Sequence, residues 1–90
     1  MAKIIKANGI ETETKPKNGT DFKLEELKEI VGGWVELVWL PLGEIMAVNE
    51  DGKNMNLPIN EKATKIYREA FAYPDYIVGD VLLCNDVDIL

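Results

Sequence analysis

The sequence predicts an α+β domain of element order ββαββαβ, a mixed and mostly antiparallel sheet with two helices packed on one face. Three observations predict this. Asn8-Gly9 and Asp51-Gly52 are hairpin-turn signals set between extended runs. Two stretches, 22–31 and 61–72, repeat apolar residues at helical spacing. The run from Trp34 to Leu40 is dense in β-branched and aromatic residues. The chain has 90 residues, no internal linker and no strong repeat, so residues 1–90 are read as a single domain.

Lys3 to Ala7 is extended, and Asn8-Gly9 turns it into Ile10 to Lys15, an alternating and polar strand suited to a sheet edge. Pro16 to Thr20 is a loop. Thr20 or Asp21 then caps a helix from Phe22 to Val31, with Leu24, Leu27, Ile30 and Val31 on one face. Gly32-Gly33 stops it. Trp34 to Leu40 is apolar on both faces and is therefore expected at the centre of the sheet. Pro41-Leu42-Gly43 turns the chain, and Glu44 to Asn49 returns as the antiparallel partner.

After the Glu50-Asp51-Gly52 turn, Lys53 to Asn56 is irregular or a short strand, and Pro58 keeps Leu57 extended. Asn60 caps a second helix from Glu61 to about Ala72, with Ala63, Ile66, Tyr67, Ala70 and Phe71 on its apolar face. Tyr73-Pro74-Asp75 ends it. Tyr76 to Cys84 reads as a last buried strand, with Gly79 marking a bulge or a close approach. The tail Val87-Asp88-Ile89-Leu90 is apolar enough to pair or dock. Helices on one face would leave the other face partly open.

Composition narrows the function. The net charge is −6, with sixteen acids against ten basic residues, of which only Arg68 is arginine. That balance does not supply the basic face of a nucleic-acid binder. No apolar run nears the roughly 20 residues of a membrane span, and Met1 to Lys6 lacks the apolar core of a signal peptide, so a cytoplasmic location is expected. One cysteine, Cys84, excludes a disulfide within the monomer and a paired-cysteine zinc site; it ends an apolar run and reads as a buried thiol. The sequence contains no His, Ser or Gln. Ser–His and Cys–His catalysis are therefore absent, and only carboxylates, Lys, Tyr or a metal remain open to an enzyme.

Four features carry candidate chemistry. Glu36 interrupts an apolar strand between Trp34 and Val38; such a carboxylate pairs with a lysine, faces solvent, contacts a ligand or acts as an acid–base group. Asn60, Thr64 and Arg68 fall at i, i+4 and i+8, a polar stripe that begins at a helix N-terminus and ends in a guanidinium suited to phosphate or carboxylate; a capped, solvent-facing helix explains the same residues. Gly32-Gly33-Trp34 offers either a close backbone approach beside a stacking indole or a helix stop before a core tryptophan. Asn49 to Asn54 has the flavour of a calcium loop without its spacing and reads as a hairpin turn. Asp80, Asp86 and Asp88 read as solvated acids. No metal and no cofactor are expected.

Val31 to Val38 with Leu40-Pro41, Asn49-Glu50-Asp51-Gly52, Leu57 to Thr64 and Val78 to Leu83 together resemble a family of small bacteriophage and bacterial mobile-element proteins, catalogued as a domain of unknown function. The resemblance runs from about Lys3 to Cys84. It carries no assigned site residues and implies a setting, a phage or mobile-element protein inside a bacterial cell. Small phage proteins are often counter-defence factors, and one class sequesters nucleotide-derived signals at oligomer interfaces.

The resulting expectation is a non-enzymatic, homo-oligomeric binding module that sequesters a small anionic, nucleotide-derived signalling molecule. Trp34 or a tyrosine would stack on a base, Arg68 and the amides near Asn60 would hold phosphate, Asn49 or Thr64 would add hydrogen bonds, and Glu36 would contact the ligand. The acidic net charge opposes this unless basic groups converge locally. The alternative is inhibition of a host protein by direct contact, through the open sheet face or the apolar tail. No nucleic acid and no membrane are expected as partners. A hydrolase built on Glu36 is the third reading.

Overall fold

The computed structural model describes residues 2–72 and 74–89. Met1, Tyr73 at the expected end of the second helix, and Leu90 in the tail lie outside the described residues. The elements are β1 (Ala2–Ile5), β2 (Glu11–Thr14), α1 (Leu24–Val31), β3 (Val35–Trp39), β4 (Glu44–Asn49), α2 (Glu61–Phe71) and β5 (Val81–Asn85). The expected order ββαββαβ is the observed one. The strands form one sheet in the order β2-β1-β5-β4-β3, with every pairing antiparallel.

The two helices cover opposite faces of this sheet, which corrects the expectation that they share one. Along β4, Ile45 and Ala47 pack with Phe22 and with Leu27 and Ile30 of α1. The alternate residues Met46 and Val48 pack with Ala63, Ile66 and Tyr67 of α2. In β5, Leu82 and Cys84 join the first layer, and Val81 and Leu83 the second. Side chains alternate across a strand, so an unbroken apolar run such as Ile45 to Val48 has to be buried on both sides. Each face then needs its own helix, and among the described residues each face carries one.

A second correction concerns β3. It lies at the edge of the sheet, because β5 enters between β1 and β4 and displaces the β3–β4 hairpin outward. Its apolar density is partly surface: Trp39 is 54% exposed. The polar strand β2 forms the other edge, as expected.

Local chemistry sets the element boundaries. α1 begins at Leu24 after Lys23, with no side-chain cap. Asp21 and Thr20 instead close the preceding loop, where Asn18 Oδ1 accepts from both of their amides. Gly32 ends α1 in a left-handed conformation at φ 81°. The β1–β2 connection is wider than a two-residue turn, closed by the Lys6 amide donating to the Ile10 carbonyl at 2.8 Å. The last strand is shorter than expected: Gly79 at φ 76° breaks the extended run, leaving Val78 in an isolated bridge with Ile59. The tail docks as expected. The Phe22 amide donates to the Asp88 carbonyl, and Ile89 packs against the α1-side core.

Candidate functional site

A polar cleft of about 380 Å³ lies on the α2 side of the sheet. Val38 of β3 and Val48 of β4 contribute apolar lining, with Val78 from the segment leading into β5. Tyr67 of α2 and Tyr76 supply aromatic lining. The turn after β4 adds Glu50, Asp51, Lys53 and Asn54.

Each lining group is placed by an identifiable local cause. The Asn49 carbonyl accepts from the Gly52 amide, and its side-chain oxygen accepts from the Asp51 amide at 2.9 Å, which folds the turn back on itself. Gly52 is required there, since a Cβ would sit 2.7 Å from Val78 Cγ2. The Lys53 ammonium reaches across to the Asp75 carboxylate and lies 4.3 Å from the Tyr76 ring centroid. That contact holds the turn against the segment after α2. The Asp75 charge pushes the Lys53 pKa up, and Lys53 with the Tyr76 amide holds the Asp75 carboxyl below its usual range.

The cleft is acidic. Among the described residues, Glu36, Glu50, Asp51 and Asp75 line it against one lining cation, Lys53, while the nearby Arg68 also acts on the Asp75 charge. Glu36 is exposed on β3, and its carboxylate has no hydrogen bond or ion pair among the described residues.

The sequence-predicted site residues do not converge. Of the six, Glu36 and Asn49 line the cleft, and Asn49 is 6% exposed with its amide donating to the Val31 carbonyl. The Asn60–Thr64–Arg68 stripe is not a solvent-facing row. Asn60 is fully buried, donating to the Ile5 and Gly79 carbonyls and accepting from the Ala63 amide. The Thr64 hydroxyl donates to the Ile77 carbonyl and accepts from the Ile77 amide. Arg68 is exposed, but its guanidinium donates to the Asp75 and Pro74 carbonyls. With Thr64 it lines a second, more open trough beside Ile59, Lys65 and Glu69, which shares Tyr76 with the cleft.

Trp34 is 62% exposed, with Lys28 Nζ 4.2 Å from its ring centroid, so it is not a core residue. The close approach at Gly33 is to Asn49, whose Nδ2 would lie 3.1 Å from an added Cβ. Burial pushes the Cys84 thiol up to about 11, the state of an inert structural cysteine. Among the described residues no group of three or more His, Cys, Asp or Glu side chains is placed to hold a metal ion, and no helix is long and apolar enough to cross a membrane.

Lys53, Tyr67, Asp75 and Tyr76 are cleft residues that sequence reasoning missed. Tyr67 carried only an apolar-face signal. Lys53 and Asp75 are 22 residues apart, and no local pattern links them.

A family model described as a domain of unknown function (DUF3846) matches residues 5–89. No curated protein and no solved structure matches the chain.

Proposed function

The chain belongs to the DUF3846 family, a domain of unknown function, and we propose that it is a binding module that holds a small organic cation in the acidic cleft without transforming it. The observation that carries this reading is the cleft itself. It has the volume of a small-ligand site, with apolar and aromatic lining and a few convergent polar groups. Its charge selects the ligand class. Four carboxylates and one paired lysine favour an amine or guanidine over a phosphate. The apolar part of such a ligand would rest on Val38 and Val48 beside Tyr67 and Tyr76, and Glu36 would take the positive group.

Binding without catalysis fits a chain whose only thiol is buried and which has no His or Ser. The resemblance to phage and mobile-element proteins supplies the setting, in which counter-defence would proceed by capture of a small host molecule. The nucleotide-derived anion is the weaker reading, since Asn60 and Thr64 spend their polar atoms on the backbone.

A thermal-shift panel tests this, with primary amines, guanidines and quaternary ammonium ions beside cyclic nucleotides and ADP-ribose. Ligand at a hundred times Kd should add about 2.7 kcal/mol to stability. An amine that raises Tm, is recovered intact and loses its effect in Glu36→Gln supports the proposal. A nucleotide shift abolished by Arg68→Ala would return the site to the anion reading. No shift with any small molecule would favour contact with a host protein.

A further inference from the structure

We propose that the outer edge of β3 is a homodimer interface, at which two copies pair antiparallel about a two-fold axis through Leu37 to make one continuous ten-stranded sheet. β3 ends the sheet, so among the described residues one side of its backbone has no partner strand. The register shows which groups face outward. Val35 to Trp39 pair with Asn49 to Ile45, and the flanking bonds run from the Glu50 amide to the Trp34 carbonyl and from the Leu40 amide to the Glu44 carbonyl. Hydrogen bonding alternates along an antiparallel strand. Trp34, Glu36, Val38 and Leu40 therefore bond inward to β4, while the N–H and C=O of Val35, Leu37 and Trp39 point out.

Three outward residues centred on Leu37 form a self-complementary set. Two-fold pairing at Leu37 places Val35 opposite the partner's Trp39 and satisfies all six outward groups of each copy. Glu36, the only charge in the strand, falls opposite the partner's Val38, so no like charges directly face one another. Trp34 falls opposite the partner's Leu40.

The exposed side chains match this geometry. Trp34 and Trp39, at the two ends of this edge, are more than half exposed, and Leu42, in the turn that follows β3, is 99% exposed. Aromatic side chains bury roughly 150–250 Å² each when fully covered. With the strand edge itself, two copies would bury on the order of 1,000 Å², enough for a specific interface. Between Val35 and Trp39 the edge has no lysine and no proline, and its single charge, Glu36, bonds inward through its backbone. The opposite edge, β2, carries Glu11 and Glu13 in a four-residue strand. Because Glu36 and Val38 line the cleft, the two clefts would meet near the axis, but the dimer does not depend on the ligand proposed above.

Analytical ultracentrifugation of the full chain, from micromolar to millimolar, is the test, together with amide exchange. A dimer of twice the 10.1 kDa chain mass is expected, with protected amides at Val35, Leu37 and Trp39. Trp39→Lys should raise the dimer Kd by about tenfold or more, because a lysine blunts the edge. Leu37→Pro removes an outward N–H without touching the β3–β4 bonds and should also give monomers; circular dichroism reports whether either variant is folded. Glu13→Lys, on the far edge, should leave the dimer intact. A monomer at every concentration, fast exchange at those three amides, a dimer insensitive to Trp39→Lys, or open-ended assembly would each overturn the proposal.

Discussion

The side-chain amide of Asn60 donates to the main-chain carbonyl of Ile5 at 2.9 Å, across 55 residues of sequence. The same nitrogen donates to the Gly79 carbonyl at 2.9 Å, and the side-chain oxygen caps α2 through the Ala63 amide. One buried residue thus joins the end of β1, the start of α2 and the turn into β5. Asn60→Ala removes a helix cap and strands two buried carbonyls, so a loss of roughly 3–5 kcal/mol is expected in denaturant unfolding. Asn60→Asp keeps the cap but sets a carboxylate against two carbonyl oxygens. Its folded-state pKa would be raised, so its stability should be greatest below the unfolded value of about 3.9 and fall as pH rises through the folded one. An Asp variant as stable as wild type at pH 7 would show that the two donated bonds contribute little.

Glu11 accepts from Lys3 and Lys62, both at 2.8 Å, linking the β1–β2 hairpin to the start of α2. The Lys3 contact first, then Lys62, lowers the Glu11 pKa from 4.5 to about 2. A depressed carboxyl pKa stabilises the fold above the unfolded value, and that contribution disappears as pH falls from about 4.5 to about 2. The group is open to solvent, so salt should weaken the effect. Tm measured at pH 6 and pH 2.5 should fall further for wild type than for Glu11→Gln, and the difference should shrink in 1 M salt. Equal falls at low salt would show that the two ion pairs do not stabilise the hairpin.

The parts of this fold that were legible in sequence are those controlled by neighbours in the chain. Asn60 as a cap, Gly32 as a helix stop and β4 as the partner of β3 all depend on residues within a few positions. What failed depends on distant contacts. Apolar density placed β3 at the centre, yet β5 holds that place, since long-range pairing with β1 and β4 decides strand order. The unbroken apolar runs Ile45 to Val48 and Val81 to Cys84 did carry the signal for helices on both faces. The candidate site was less legible. Thr64 and Arg68 have the chemistry of a ligand site, but their partners, Ile77, Pro74 and Asp75, lie beyond the end of the helix and close only in three dimensions.

Gly79 is held at φ 76°, and a Cβ there would lie 2.9 Å from Leu57 Cδ1. Gly79→Ala therefore adds backbone strain and a clash, although the leucine end can shift. A destabilisation of roughly 1–3 kcal/mol is expected, which for a domain of this size lowers Tm by about 4–8 °C per kcal/mol. A Tm within 2 °C of wild type, on the order of the scatter expected for a neutral surface change, would show that the left-handed conformation is not needed at this turn.

Leu42 adopts φ 65° and Gly43 φ 78°, two successive left-handed positions in the β3–β4 connection. Asn-Gly suits such a pair, and a leucine there carries a steric penalty while its side chain is 99% exposed. Leu42→Asn should relieve that penalty and stabilise the folded monomer by about 0.5–1 kcal/mol. Leu42 is also an exposed apolar side chain in the turn just beyond the Trp39 end of β3. The same substitution should therefore weaken self-association while strengthening the monomer, opposite signs that separate packing in the monomer from a role at the interface. Denaturant unfolding at low concentration reads the first effect and sedimentation at high concentration the second. A Leu42→Asn chain that is both less stable and equally associated would remove the leucine from the interface and the strain from the turn.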